Sequence, residues 1–195
     1  MVNLSKGQKL SLDKSLQLAI VGLGWDPNKY TGSQTFDLDA VAFLLDASGR
    51  VTTDEDLVFY GNPVHPSGCA KALGDDRTGN SSDGGDDEQI IINFSRVPAY
   101  VQKIVVAVSI YDAAAKRQNF GQVSNAYVRV AKIKSESDTE GDEVVRFELD
   151  EEFSDEAAVI ACEITRNGSE WKFGAVGMGY NCELDGLCRM FGIDL

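Results

Sequence analysis

Apolar and polar residues alternate with a period of two along most of this 195-residue chain, the pattern of strands with one face in a core and one in water. Phe36, Leu38 and Ala40 alternate with Asp37 and Asp39 at the start of a run that ends at Leu45. Shorter runs at Lys9–Asp13 and Ser15–Gly24 come before it, the second outlined by Leu16, Leu18, Ile20 and a Gly22–Gly24 turn. Trp25-Asp26-Pro27-Asn28 breaks the pattern, because Pro and Asn favour turns. Leu57–Tyr60 and Gln89–Phe94 are short strand-like runs, and Lys103–Tyr111 (KIVVAVSIY) is apolar almost throughout. Such continuity predicts a central strand buried on both faces. Ala126, Val128 and Val130 share one face of Gln122–Lys132, and Val145, Phe147 and Leu149 one face of Val144–Leu149. Asn167-Gly168 then separates Ala157–Arg166 from Ser169–Gly177, and that dipeptide between alternating runs is the strongest short hairpin signal. It predicts Ile160, Cys162 and Ile164 in one sheet with Trp171, Phe173 and Ala175. Helix signals are slight: one turn at Asp112–Lys116 and a short helix at Leu184–Phe191. About ten short strands with turn signals between them predict an all-β fold, a β-sandwich of two mainly antiparallel sheets with a few short helical turns. No fixed-period repeat divides the chain, so a single domain over residues 1–195 is expected.

Composition fits a globular chain, with 43% hydrophobic and 25% charged residues. The net charge of -13 argues against nucleic-acid binding, which needs a basic face, and against unaided docking to anionic lipid. No basic-then-apolar leader and no bilayer-length apolar run are present, so a soluble, cytoplasmic protein without direct membrane insertion is expected. Cys69, Cys162, Cys182 and Cys188 form no CxxC pair. They are expected as free thiols, Cys162 in the core.

One stretch changes the picture. Between Gly74 and Glu88 lie Asp75, Asp76, Asp83, Asp86, Asp87 and Glu88 against one cation, Arg77, among four glycines and two serines. Two carboxylates about 5 Å apart repel by roughly 3 kcal/mol at an effective dielectric near 20. Such a loop is either splayed in water or gathered around a hard cation, and oxygen ligands on a flexible glycine-rich loop suit calcium. Composition alone leaves both open, the solvated loop being the simpler.

A family resemblance weighs on that choice. GLGWD (Gly22–Asp26), FDLDA (Phe36–Ala40), VFYGN (Val58–Asn62), GDDRTG (Gly74–Gly79), GDDE (Gly85–Glu88), VSIYDA (Val108–Ala113) and FGQVSNAYVRV (Phe120–Val130) follow in order. EWKFGAVGMGY (Glu170–Tyr180) and GLCRMFGI (Gly186–Ile193) come later. Together they resemble the TerD-like proteins of bacterial tellurium-resistance and stress operons, over essentially the whole chain. The resemblance implies a β-sandwich like calcium-binding C2-type modules, calcium bound through acidic loops, and a role in tellurite, phage and colicin resistance. It implies partners among other tellurium-resistance proteins, a membrane-bound complex included. The family pattern GDNxTGxGxGDDE is altered here: Asp76 stands for the Asn, and Asn80-Ser81-Ser82-Asp83 lengthens the span. The resemblance turns the acidic loop toward calcium, as one or two ions.

The ligand candidates are Asp26, Asp37, Asp39, Asp75, Asp76, Asp86, Asp87, Glu88 and Asp112. Asp37 and Asp39 project from one strand face, too rigidly spaced to wrap an ion alone, and Asp76 is equally placed to face solvent. Calcium takes six to eight oxygens, so a site must be assembled from several loops. No EF-hand register fits Asp75 or Asp83. Asn62 is a carbonyl donor or a turn residue before Pro63, and Glu136–Glu143 is expected as a solvated loop. His65 lacks the company of any nucleophile motif and reads as a surface or packing histidine. Trp25 and Trp171 read as core or site-wall aromatics. The expected function is non-enzymatic calcium binding that orders acidic loops into a partner-binding surface. A metal-independent acidic scaffold recruiting basic partners is the alternative, and a metal-dependent hydrolase, with an apolar-walled cleft beside the ion, is a third reading.

Overall fold

The computed structural model describes residues 1–27, 36–73, 85–149, 153 and 155–193. The strands are β1 (Val2–Leu4), β2 (Lys9–Ser11), β3 (Leu18–Pro27), β4 (Leu38–Leu45), β5 (Leu57–Val58), β6 (Ala70–Leu73), β7 (Glu88–Asn93), β8 (Lys103–Ile110), β9 (Val123–Lys132), β10 (Asp142–Glu148), β11 (Ala158–Asn167) and β12 (Glu170–Tyr180). Two helices, α1 (Ala113–Lys116) and α2 (Leu184–Phe191), accompany them. The first sheet has the order β1-β10-β9-β3-β7-β6, the second β2-β12-β11-β8-β4-β5. Every pairing is antiparallel except β1 on β10. The expected β-sandwich is what the chain adopts.

Period-two patterning builds its layers. Ile104, Val106 and Val108 of β8 enter the core between the sheets. Val105 and Ala107 face the other way, into a second cluster beneath α2, so β8 is buried on both faces. Leu184, Leu187, Cys188 and Phe191 recur at helical spacing and place α2 on the outside of the second sheet. The Phe191 ring lies 4.6 Å from that of Phe43, and Gly192, at φ 92°, ends the helix in the left-handed region. In β11 a bulge between Ile160 and Cys162 turns Ile160 toward α2 while Ala161 and Cys162 both reach the central core. The hairpin over Asn167-Gly168 forms as expected, with Asn167 opposite Glu170.

Two expectations are corrected. β3 does not stop before Trp25: it bulges between Gly24 and Asp26 and continues to Pro27, where a proline is tolerated as the last residue of a strand. β1 and β6 were not expected. Three and four residues long, they lie at the two edges of the first sheet, with too few residues to show a period.

The registers fix which loops meet. β3 ends opposite the starts of β7 and β9, through Leu23↔Glu88 and Pro27↔Val123. In the second sheet β4 starts opposite the end of β8, and β11 starts opposite the ends of β8 and β12. The Phe120 N–H, just before β9, donates to the Glu156 carbonyl just before β11. Both sets of ends therefore lie at one pole of the sandwich, closed by Trp25, Phe36, Ala113 and Phe120 in one core. Among the described residues no helix is long and apolar enough to cross a membrane.

Candidate metal centre

This pole carries the described ligand candidates, but they look in different directions. Asp37 and Asp39 lead into β4, where Leu38 and Ala40 take the inward positions. Asp39 therefore shares the outward face with Val41, is 9% exposed, and sits opposite buried Ser109. The Asp37 carbonyl accepts the Tyr111 N–H at 2.8 Å, and its carboxylate lies 3.8 Å from Lys116 Nζ. Asp112 follows β8 with left-handed backbone (φ 57°) and caps α1 with its carbonyl. These three form the second sheet's share. The first sheet contributes Asp26, Asp87 and Glu88. Asp26 is exposed, its Oδ2 accepting the Asn125 side-chain N–H at 2.7 Å. Asp87 is 8% exposed; its N–H donates to the Leu23 carbonyl and its Oδ2 accepts the Trp25 N–H, each at 2.8 Å. Glu88, 6% exposed, opens β7 opposite Leu23. Asp75 and Asp76 lie outside the described residues. Among the described residues no three His, Cys, Asp or Glu side chains converge as metal ligands.

Asp86 stands apart. Its side chain is fully buried on the outer face of the first sheet. Arg129 grips it bidentately, Nε to Oδ1 at 2.6 Å and Nη2 to Oδ2 at 2.8 Å. The Tyr127 hydroxyl donates to Oδ1 at 3.0 Å and Gln89 Nε2 to Oδ2 at 2.9 Å. Arg146 stacks over the Tyr127 ring at 3.6 Å and reaches Glu148 and Glu143. The carboxylate of Asp86 holds the Arg129 guanidinium above even its usual value. Burial first, then Asp86, pushes the Tyr127 phenol up. Two glycines make the space: a Cβ at Gly22 would collide with the Asp86 carboxylate, and one at Gly24 with the Tyr127 ring. GLGW, AYVRV and GDDE thus meet in one cluster. Alternation put Gly22, Gly24, Tyr127 and Arg129 on one face, but the sequence has no sign that Asp86 joins them.

Elsewhere the polar residues build structure. His65 is buried at 4% exposure, a packing histidine. Its Nδ1 accepts the Ser67 N–H at 3.1 Å, so Nε2 carries the proton toward Asp56 Oδ1, also at 3.1 Å. Asn62 is a turn residue, donating to the Leu57 carbonyl at 2.7 Å. The 136–143 segment is more tied down than expected: Arg96 pairs with Glu136, the Thr139 carbonyl accepts from Gln89, and Glu143 enters the arginine cluster. Trp25 and Trp171 are core residues, and the four cysteines are free thiols, Cys162 fully buried. An open cavity of about 750 Å³ lies between α1 and α2. Its walls are polar, with Arg117, Asn119, Asn181 and Glu183 among them, rather than apolar.

The donors at the pole are carboxylate and carbonyl oxygens, the chemistry of a hard cation. Asp39, Asp87 and Glu88 fit such an ion in kind, with the remaining oxygens left to other loops.

Comparison with known proteins places the chain. A family model, the TerD domain, matches residues 1–191. The uncharacterized protein YceE of Bacillus subtilis (strain 168) is 50% identical, the alignment covering 100% of this chain and 99% of that protein. General stress protein 16U of the same organism is 43% identical over 100% and 98% of the two chains. Tellurium resistance protein TerD of Serratia marcescens is 44% identical over 99% and 98%. The crystal structure of a homologue of telluride resistance protein (TerD) from Streptomyces coelicolor A3(2) superposes with a TM-score of 0.67 at 23% identity, covering 93% of this chain and 100% of that one. The chain belongs to the TerD domain family.

Proposed function

We propose that this protein is a non-enzymatic calcium-binding component of a bacterial tellurium-resistance and stress-response system. Calcium orders the acidic loops at the pole, and the ordered loops form the surface that a partner reads. Relatives named for tellurium resistance and general stress support the system. The observation that carries the ion is the burial of Asp39, Asp87 and Glu88 at one pole, each at least nine-tenths covered, in a chain of net charge -13. Buried carboxylates are costly unless paired or on a cation. The protein acts in the cytoplasm, and its partners are other tellurium-resistance proteins, a membrane-bound complex among them.

Binding to the folded state alone raises stability by RT ln(1 + [L]/Kd), about 2.7 kcal/mol at a hundredfold excess over Kd. For a domain of this size that is about 5–10 °C in thermal midpoint. Calorimetry of the metal-stripped protein with calcium, and again after chelator, should show the rise and its reversal. Equal midpoints in all three states would remove calcium. A second reading, the metal-independent acidic scaffold, draws on the absence of a three-ligand cluster among the described residues. It expects partner binding that is sensitive to salt and indifferent to chelator.

A further inference from the structure

The three consecutive acids Asp86, Asp87 and Glu88 are not equivalent in the fold. Asp86 accepts four side-chain donors, two from Arg129 and one each from Tyr127 and Gln89. A carboxylate offers about four lone-pair sites, so these fill it. Its bed is the bare backbone of Gly22. The next residue, Asp87, hydrogen-bonds both ways to β3, through the Leu23 carbonyl and the Trp25 N–H. One residue further, Glu88 enters the β3–β7 ladder.

We infer that Asp86 and Arg129 are a positioning pair: Asp86 stays outside the calcium shell, and its grip by Arg129 fixes Asp87 against Trp25 in the orientation the ion needs. The inference rests on the calcium reading for its consequence and on the Asp86 and Asp87 contacts for its geometry. It divides the GDDE motif into an anchor, Asp86, and the acids the anchor presents. Partners of this kind that orient ligands typically change metal affinity about 10–100-fold when removed.

The test uses the full-length protein and three variants. Asp86→Asn with Arg129→Gln removes both charges together and leaves no unpaired ion. Arg129→Lys keeps the cation without the fork, and Asp86→Asn alone asks whether the carboxylate is a ligand. Calcium stoichiometry and Kd come from isothermal titration. Terbium luminescence excited through tryptophan, with Trp25→Phe as control, reports the ion beside Trp25. The double variant should bind the same number of ions about tenfold or more weakly, with Arg129→Lys recovering part of the loss. A merely structural role would lower the thermal midpoint and leave Kd and the terbium signal alone, and that result overturns the inference. A lost ion in Asp86→Asn overturns it too, by making Asp86 a ligand. If the unaltered protein binds neither ion, the calcium reading fails and hydrogen exchange of the metal-free proteins decides the geometry. Faster exchange at the Trp25 and Asp87 amides in the double variant supports the pair, and unchanged rates refute it.

Discussion

Asp56 shows what a buried acid does in this fold when no metal is involved. Its side chain is fully buried, yet every donor around it is accounted for. Oδ2 accepts the Thr52 and Thr53 N–H groups at 3.0 and 3.1 Å. Oδ1 accepts the Tyr100 hydroxyl at 2.7 Å and His65 Nε2 at 3.1 Å. One carboxylate thus ties together the turn before β5, the loop before β6 and the loop before β8. Replacing it by alanine strands four donors, each costing about 1–3 kcal/mol if it stays buried. Asp56→Ala should therefore lose at least about 3 kcal/mol, and Asp56→Asn less, measured by urea unfolding with an unchanged slope. A loss below about 1 kcal/mol for alanine would mean that water replaces the carboxylate. None of this was readable in the sequence, where Asp56 is one acid in a Thr-Asp-Glu-Asp run. Its partners lie 9 and 44 residues away. The same holds for Asp86, whose arginine is 43 residues distant. Charge is visible residue by residue; the identity of the counter-ion is a tertiary fact.

At the scale of elements the long strands were legible and the short ones were not. β4, β8, β9, β11 and β12 each repeat an inward position several times, and the core selects that pattern. β1, β5 and β6, of two to four residues, carry too little pattern to be seen. Bulges were invisible for a related reason: in β11 and β3 one extra residue reverses the faces on either side of it, and only the partner strand reveals where. Edge strand β2 illustrates how such a piece is held. Glu163 of β11 reaches over Gly174 of β12 to Lys9 of β2 at 2.9 Å, and to Lys103 of β8 at 2.8 Å on its other side. A Cβ at position 174 would crowd Glu163, so the glycine keeps this path across β12 open. Burial alone would raise the carboxyl of Glu163; the two lysines outweigh it and hold the group below the usual value. The folded state thus binds this proton more weakly than the unfolded state does. The stabilisation is present above the unfolded value and is lost as pH falls through the folded one. Glu163→Gln should cost about 1 kcal/mol at neutral pH and nothing once the acid is protonated. Thermal midpoints of both proteins should therefore converge below about pH 4; a constant gap down to that pH would place the effect in packing instead.

Across the whole molecule, the excess of acid over base sets a background against which any ion effect must be judged. A chain with net charge -13 repels itself, and any salt relieves that repulsion. Screening acts through ionic strength, with a Debye length near 10 Å at 0.1 M, and is blind to the identity of the cation. Site binding is not. Calcium accepts an irregular shell of carboxylates and carbonyls, whereas magnesium demands a tight octahedron and keeps its waters. The pole has the oxygens for the first and no regular frame for the second, since Asp39, Asp87 and Glu88 project from different strands and faces. At constant ionic strength, about 1 mM calcium should raise the thermal midpoint well beyond sodium, with magnesium close to sodium. If midpoints in all three chlorides fall on one curve of ionic strength, the charge of this molecule is managed by screening alone. Its buried acids would then be held as Asp56 is, by donors from the chain itself.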